Sequence, residues 1–206
     1  MDTSTAQRAR DTAPVAHSPA IADAIARHIA GLRFESLSAG ALAAAKRLML
    51  DTLVVAWAGS DAPGSSDVKA LLDEQGGRAE SSIWGYGGRL PAPAATFLNG
   101  MFAAALDYDG INTVHADIVT LPAALALSER GHASGRSFIT AFVIGSDLCC
   151  RLGAATVPPH KGWFNSSIFG VFGAAATGAK LLGLDAGATR HALGIALSQA
   201  AGTQQA

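Results

Sequence analysis

The sequence predicts an all-α protein of about eight helices. Three observations predict it. Apolar residues recur at helical spacing between Ser, Gly and Pro punctuation along most of the chain. No stretch shows the strict alternation of a half-buried strand, and no repeat of fixed period is present. Finally, 44 Ala and 23 Gly make up about a third of the chain, and such small side chains let helix backbones approach closely.

The first 17 residues are polar, with Ala and Pro, and are expected to be a disordered lead-in, with one helical domain over 18–206. Ser18-Pro19 reads as an N-cap followed by proline at the first helical position. Ile21, Ile25, Ile29 and Leu32 follow at helical spacing. Ser38 opens a second helix to about Trp57, with Leu42, Leu48, Met49, Leu53 and Val54 as its apolar face. Ser65 or Ser66 is expected to cap a short third helix that stops at Gly76-Gly77. Residues 81–90 hold two aromatics and three glycines and suggest an extended segment with a turn. A fourth helix is expected from Pro93 to about Leu106, a fifth over Thr120–Arg130, and a sixth over Ser137–Leu152. After Pro158-Pro159, a seventh runs from about Ser167 to Leu182, and Asp185 caps the last. The chain ends without a helix stop or polar tail, which reads as a fragment.

Fifteen basic and 16 acidic residues give a net charge of −1, which excludes a basic nucleic-acid footprint. Half the residues are hydrophobic and 15% are charged, so overall disorder is excluded too. The longest uncharged run, between Lys161 and Lys180, contains Asn165, Ser166, Ser167, Thr177 and four glycines and is a poor bilayer span. No apolar signal segment opens the chain. A soluble cytoplasmic protein without membrane or nucleic-acid partners is expected. The adjacent Cys149 and Cys150 fit a reducing compartment and two small core residues better than a disulfide.

Chemistry concentrates in two clusters. Asp107, Asp109, Asn112, Thr113, His115 and Asp117 lie between two apolar helices. Carboxylates and an imidazole held at helix ends suit general acid–base work, since a free imidazole titrates near ~6.5. The plain alternative is a solvated loop whose Asp and Asn cap helices. Two Asp and one His also permit a metal site, but without a repeated ligand spacing no metal is expected, and no cofactor. The second cluster runs from Pro158 through His160, Lys161, Trp163 and Asn165 to Ser167 and leads into a Gly/Ala-rich helix. Its free N–H groups, with Ser166, Ser167 and Lys161, could hold an anion; an ordinary serine cap is the alternative. Gly173 to Lys180 only approximates a phosphate loop, because Ala179 separates Gly178 from Lys180 and no strand precedes it. Asp147 and Arg151, four apart, read as an ion pair.

Three segments, LNGMFAAALDYDG…VHADIVTLPAALALSERGHASGR, GWFNSSIFGVFGAAATGAKLLGLD and HALGIALSQAAG, occur in that order. Together they resemble the MmgE/PrpD family over about residues 20–206. That family includes 2-methylcitrate dehydratase, cis-aconitate decarboxylase and iminodisuccinate epimerase. The resemblance implies a homodimeric two-domain enzyme roughly twice this long, of which the chain would be the helical N-terminal part, truncated before an α+β lid. By matching residue to motif it implies that Asp107 and His115 are catalytic. It implies that Asp109 and Asn112 or Thr113 line the cleft for a small carboxylic acid substrate; Lys161, Asn165 and Ser166 are expected to bind substrate on the anion-binding reading of the second cluster.

Departures are visible as well. Gly110 stands where the family pattern has a further aspartate, and Phe164-Asn165 where a second histidine is expected. The expected activity is that of a 2-methylcitrate dehydratase-like hydro-lyase, with His115 as acid/base and Asp107 orienting it or a substrate hydroxyl. Decarboxylation and epimerisation remain open within the family. A non-catalytic remnant, or a helical module that dimerises, is the competing class.

Overall fold

The computed structural model describes residues 19–156 and 162–203, with nothing said of the side chains of residues 19 and 20. Eight α-helices are present among them: α1 Pro19–Gly31, α2 Ala39–Gly59, α3 Ser65–Gln75, α4 Ala92–Ala104, α5 Asp117–Gly131, α6 Gly135–Ala155, α7 Asn165–Leu181 and α8 Ala186–Leu197. A two-stranded antiparallel hairpin, β1 Ser81–Ser82 and β2 Arg89–Leu90, lies between α3 and α4. The all-α class is therefore correct, and the extended segment with its turn is this hairpin. The expected cap at Ser18 and the lead-in over residues 1–17 lie outside the described residues.

Side-chain caps explain three of the helix starts. Ser38, Ser134 and Asp185 each accept a backbone N–H three residues on, from Ala41, Ser137 and Ala188. The start of α3 corrects the sequence reading. Its N-cap is Gly64 at φ 86°, while Ser65 lies inside the first turn and donates its hydroxyl to the Gly59 carbonyl at 3.2 Å. Helix α5 begins at Asp117, a turn earlier than expected, and no side chain caps it. Asp and Asn of the preceding loop are thus free for other work.

The core is divided among several packed clusters. Ala56, Leu72, Ile83, Leu98 and Phe102 join α2, α3, the hairpin and α4. Ala45, Met49, Leu121, Ala124 and Phe142 join α2, α5 and α6. Ile29, Ile144, Leu148, Ala176 and Ala179 join α1, α6 and α7. On α2 the buried stripe is Ala45, Met49, Thr52 and Ala56. Leu48 and Val54, expected on the apolar face, are exposed, so the stripe is rotated from the expected one.

Helices α6 and α7 cross closely. A Cβ on Gly145 would lie 2.0 Å from Thr177 Oγ1 and 2.7 Å from the Gly173 carbonyl oxygen, so only glycine permits this approach. The predicted core role of the small residues is met here. Helix α6 is long and apolar enough to cross a membrane by length and composition. Its residues Phe142, Ile144, Gly145, Leu148 and Cys149 are nevertheless buried inside the bundle, as in a core helix. Asp147 and Arg151 pair at 2.7 Å on its outer side, as their spacing predicted.

A candidate acid–base site in the α4–α5 loop

The loop from 105 to 116 leaves α4, turns back over α6 and delivers His115 to the start of α7. Two non-glycine residues in it take left-handed backbone, Asp107 (φ 52°) and Thr113 (φ 64°). A β-branched residue at positive φ is uncommon and needs support. Support comes from α6. Thr113 Oγ1 is 2.5 Å from the Asn112 carbonyl and 3.3 Å from the Cys150 carbonyl, and the Thr113 side chain lies against Gly153. Val114, Ala116 and Cys149 form a small buried cluster beneath the turn. The Asn112 N–H donates to the Val114 carbonyl at 3.1 Å and closes it.

This turn places His115 Nδ1 2.8 Å from Asp109 Oδ2. The Asp109 side chain is 1% exposed and the imidazole 15%, so one partner is sunk and the other reaches the surface. The backbone N–H of His115 donates to Ser166 Oγ at 2.9 Å, which ties the loop to the first turn of α7. The Phe164 ring stands 6.0 Å from the imidazole, tilted against it. The Phe164 N–H donates to the Gly202 carbonyl at 3.1 Å, and Trp163 bridges Thr203. The Ala-Gly stretch after α8 is therefore brought beside the same corner.

The structure sorts the residues singled out in the sequence. Asp107 is exposed, and the carboxylate that pairs with His115 is that of Asp109. Asp109 rather than Asp107 makes the contact that was expected to orient the imidazole. The left-handed turn at Asp107 directs the next carboxylate, two residues on, toward the ring. Thr113 is exposed on the loop, with its hydroxyl turned toward the Asn112 carbonyl. Ser166 is buried and accepts from His115, which makes it a tether. Asn112 is exposed on the loop. Asn165 Oδ1 is buried and has no hydrogen-bond partner among the described residues. His160 and Lys161 lie outside the described residues. Arg151 is held by Asp147 on the outside of α6 and does not reach the pair.

Ligand atoms of Asp107, Asp109 and His115 lie within 4.8 Å of one another, close enough to converge on a cation. The 2.8 Å separation within that group is that of a hydrogen bond and makes an acid–base pair of Asp109 and His115. Among the described residues no Lys or Arg forms a salt bridge with any of the loop carboxylates.

Asp117 completes the cluster. It is buried at the first position of α5, and Thr52 Oγ1 lies 3.0 Å from its Oδ2. Burial pushes its carboxyl above the ordinary aspartate range and outweighs the opposing pull of its own backbone N–H. Thr52 was not legible as part of the site. Its signal was a polar residue within the Ala45–Met49–Ala56 stripe, visible only once that face is known to be buried. A groove of about 750 Å³ is elsewhere, between α1, α6, α7 and α8. It is lined by Ile25, Leu148, Leu152, Phe172 and Leu193 and shares no residue with the pair.

An imidazole with Nδ1 fixed on a buried carboxylate has one tautomer and one orientation favoured, and presents Nε2 for proton exchange. Gly110 follows from the same packing. A Cβ there would lie 3.2 Å from Asp117 Oδ2 and 3.3 Å from Leu48, so Asp117 fills the place where a residue 110 side chain would point.

Comparison with known proteins identifies the family of the chain. The family model of the MmgE/PrpD N-terminal domain matches residues 23–206. A cis-aconitate decarboxylase-like protein of Aspergillus oryzae is 35% identical over 188 residues, covering 85% of this chain and 39% of that protein. Cis-aconitate decarboxylase of Aspergillus terreus is 34% identical over 188 residues, covering 85% of the chain and 38% of the protein. The mouse cis-aconitate decarboxylase is 31% identical over 192 residues, covering 87% and 39%. The chain thus spans well under half the length of the curated relatives it matches.

Proposed function

This chain belongs to the MmgE/PrpD family, and from that membership and the Asp109–His115 pair we propose that it supplies the proton-transfer residues of a lyase acting on a small di- or tricarboxylic acid. The observation that carries the reading is the 2.8 Å contact between a buried carboxylate and a partly exposed imidazole. Asp109 holds Nδ1, and His115 Nε2 exchanges a proton with substrate carbon. The names of the relatives favour decarboxylation of cis-aconitate. In that reaction the bond from carbon to a carboxylate breaks, carbon dioxide leaves, and the electron pair stays on the substrate. A proton delivered by His115 quenches it, and an unsaturated dicarboxylic acid is released. Elimination of water from 2-methylcitrate, the reaction expected from sequence, would use the same imidazole as a base to take a proton from carbon.

The reading includes a homodimer in a reducing cytoplasm. Leu50, Val54 and Trp57, exposed at helical spacing on α2, support a covering partner, and two free cysteines are compatible with that compartment. The test is turnover followed by NMR against cis-aconitate, 2-methylcitrate, citrate and iminodisuccinate, with circular dichroism as the control for folding. It uses the chain itself and a longer protein that carries it. His115→Gln is expected to lower the rate by about 10²–10⁴-fold, the usual worth of a positioned acid or base. Wild-type turnover in a folded His115→Gln protein would remove the imidazole from the mechanism.

A further inference from the structure

Asp117 is the carboxylate of the cluster that proton transfer by Asp109 and His115 leaves unused. It is 4% exposed, and Thr52 beside it is fully buried. Thr52 Oγ1 lies 2.8 Å from the Leu48 carbonyl and 3.0 Å from Asp117 Oδ2. A hydroxyl carries one proton, and a carbonyl oxygen only accepts. When that proton goes to Leu48, the back-bond that threonine commonly makes inside a helix, the second contact is completed by a proton on Asp117.

The surroundings point the same way. The titratable groups that face Asp117 are Asp109 from the loop, Asp51 from α2, and Cys149 and Cys150 from α6. None is cationic, and among the described residues no salt bridge reaches Asp117. A buried carboxylate without a cation is costly, so the group takes up a proton instead. The same oxygen, Oδ2, fills the space beside Gly110, directly after Asp109 in the chain.

We propose that Asp117 is a neutral carboxylic acid that donates a hydrogen bond to Thr52 Oγ1 and so holds the Asp109–Gly110 turn beneath His115. It is a positioning residue, and its role rests on the reading of Asp109 and His115 as the proton-transfer pair. Its neutrality leaves Asp109 as the charged partner of the imidazole. An ionised carboxylate at Asp117 would add a like charge next to Asp109 and weaken that arrangement.

Two spectroscopic readouts test this on the full chain without any need for turnover. Infrared spectra of protein labelled with ¹³C at aspartate carboxyls are compared for wild type and Asp117→Asn, just above the pH at which ordinary aspartates have ionised. A protonated-carboxyl band present in wild type and lost in Asp117→Asn is expected. Nitrogen NMR of the histidines is then recorded for both proteins and for Asp117→Ala. The amide of Asp117→Asn can donate the same hydrogen bond, so the His115 tautomer is expected to be retained there and redistributed in Asp117→Ala. Absence of the band, or loss of the tautomer in folded Asp117→Asn, overturns the proposal. If Asp117→Ala does not fold, the band and Asp117→Asn still decide it. A retained band and tautomer in a protein with no lyase activity would refute the proposed function and leave the role of Asp117 standing.

Discussion

Asp109 gives one carboxylate oxygen to one ring nitrogen, and that single bond decides which nitrogen of His115 is left free. Asp109→Asn keeps the shape and removes the charge. The amide can then donate to Nδ1 and favour the wrong tautomer. Turnover is expected to fall by about 10²–10⁴-fold with the fold intact, read from single-turnover rates beside a melting curve. A second residue-scale prediction concerns the thiols. Burial pushes the Cys149 thiol up to about 12, and Cys150 is raised less deeply in the core. The reactive thiolate is therefore scarce at both. Alkylation of native protein, followed by mass spectrometry, is expected to be slow at Cys150 and slower still at Cys149. At this scale the sequence revealed which residues form the cluster but not how they pair. Spacing along a loop says little about facing when Asp107 and Thr113 turn the backbone left-handed. The turn at Asp107 aims Asp109, and the turn at Thr113 that brings His115 to it is braced by Gly153 and the Cys150 carbonyl, nearly 40 residues away.

Among the helices, α6 and α7 form the scaffold on which the loop is laid, and their crossing depends on missing side chains. Gly145→Ala would force a Cβ into Thr177 Oγ1 and the Gly173 carbonyl, and the helices would have to separate. A loss of about 1–3 kcal/mol is expected for such overpacking, measured by denaturant unfolding. Because Thr113 and Val114 lean on the same helix at Gly153, the variant should also loosen the loop. Helix existence was legible from Ser38 and Asp185 as caps and from Gly and Pro stops, since these act within a few residues. Helix facing was less so. Leu48 and Val54 are apolar yet exposed, while Thr52 is polar yet buried. Alanine-rich helices pack on nearly every side, so hydrophobicity alone does not point to one face. What orients α2 is the close fit of Ala45, Met49 and Ala56 between α4, α5 and α6, a property of neighbours far away in sequence.

For the whole molecule, the buried acid links the site to global stability. In the folded chain Asp117 binds its proton more tightly than the ordinary value of 3.8 implies, mainly because burial disfavours the charge. In the unfolded chain the same group is solvated and ionises near that ordinary value. Between the two values the folded state holds more protons, so unfolding releases a proton and stability falls as pH rises. The contribution is fully present below the unfolded value and is lost as pH passes the raised folded value. Asp117→Asn is neutral throughout and keeps the contact with Thr52. Its melting temperature, measured across the acid and neutral range, is expected to rise relative to wild type as pH increases. At low pH, where Asp117 is protonated in both states, the two proteins should melt close together. A gap between them that stays constant with pH would mean that burial of this carboxyl carries no charge penalty. In that case the link between the floor of the loop and the stability of the bundle would be steric alone.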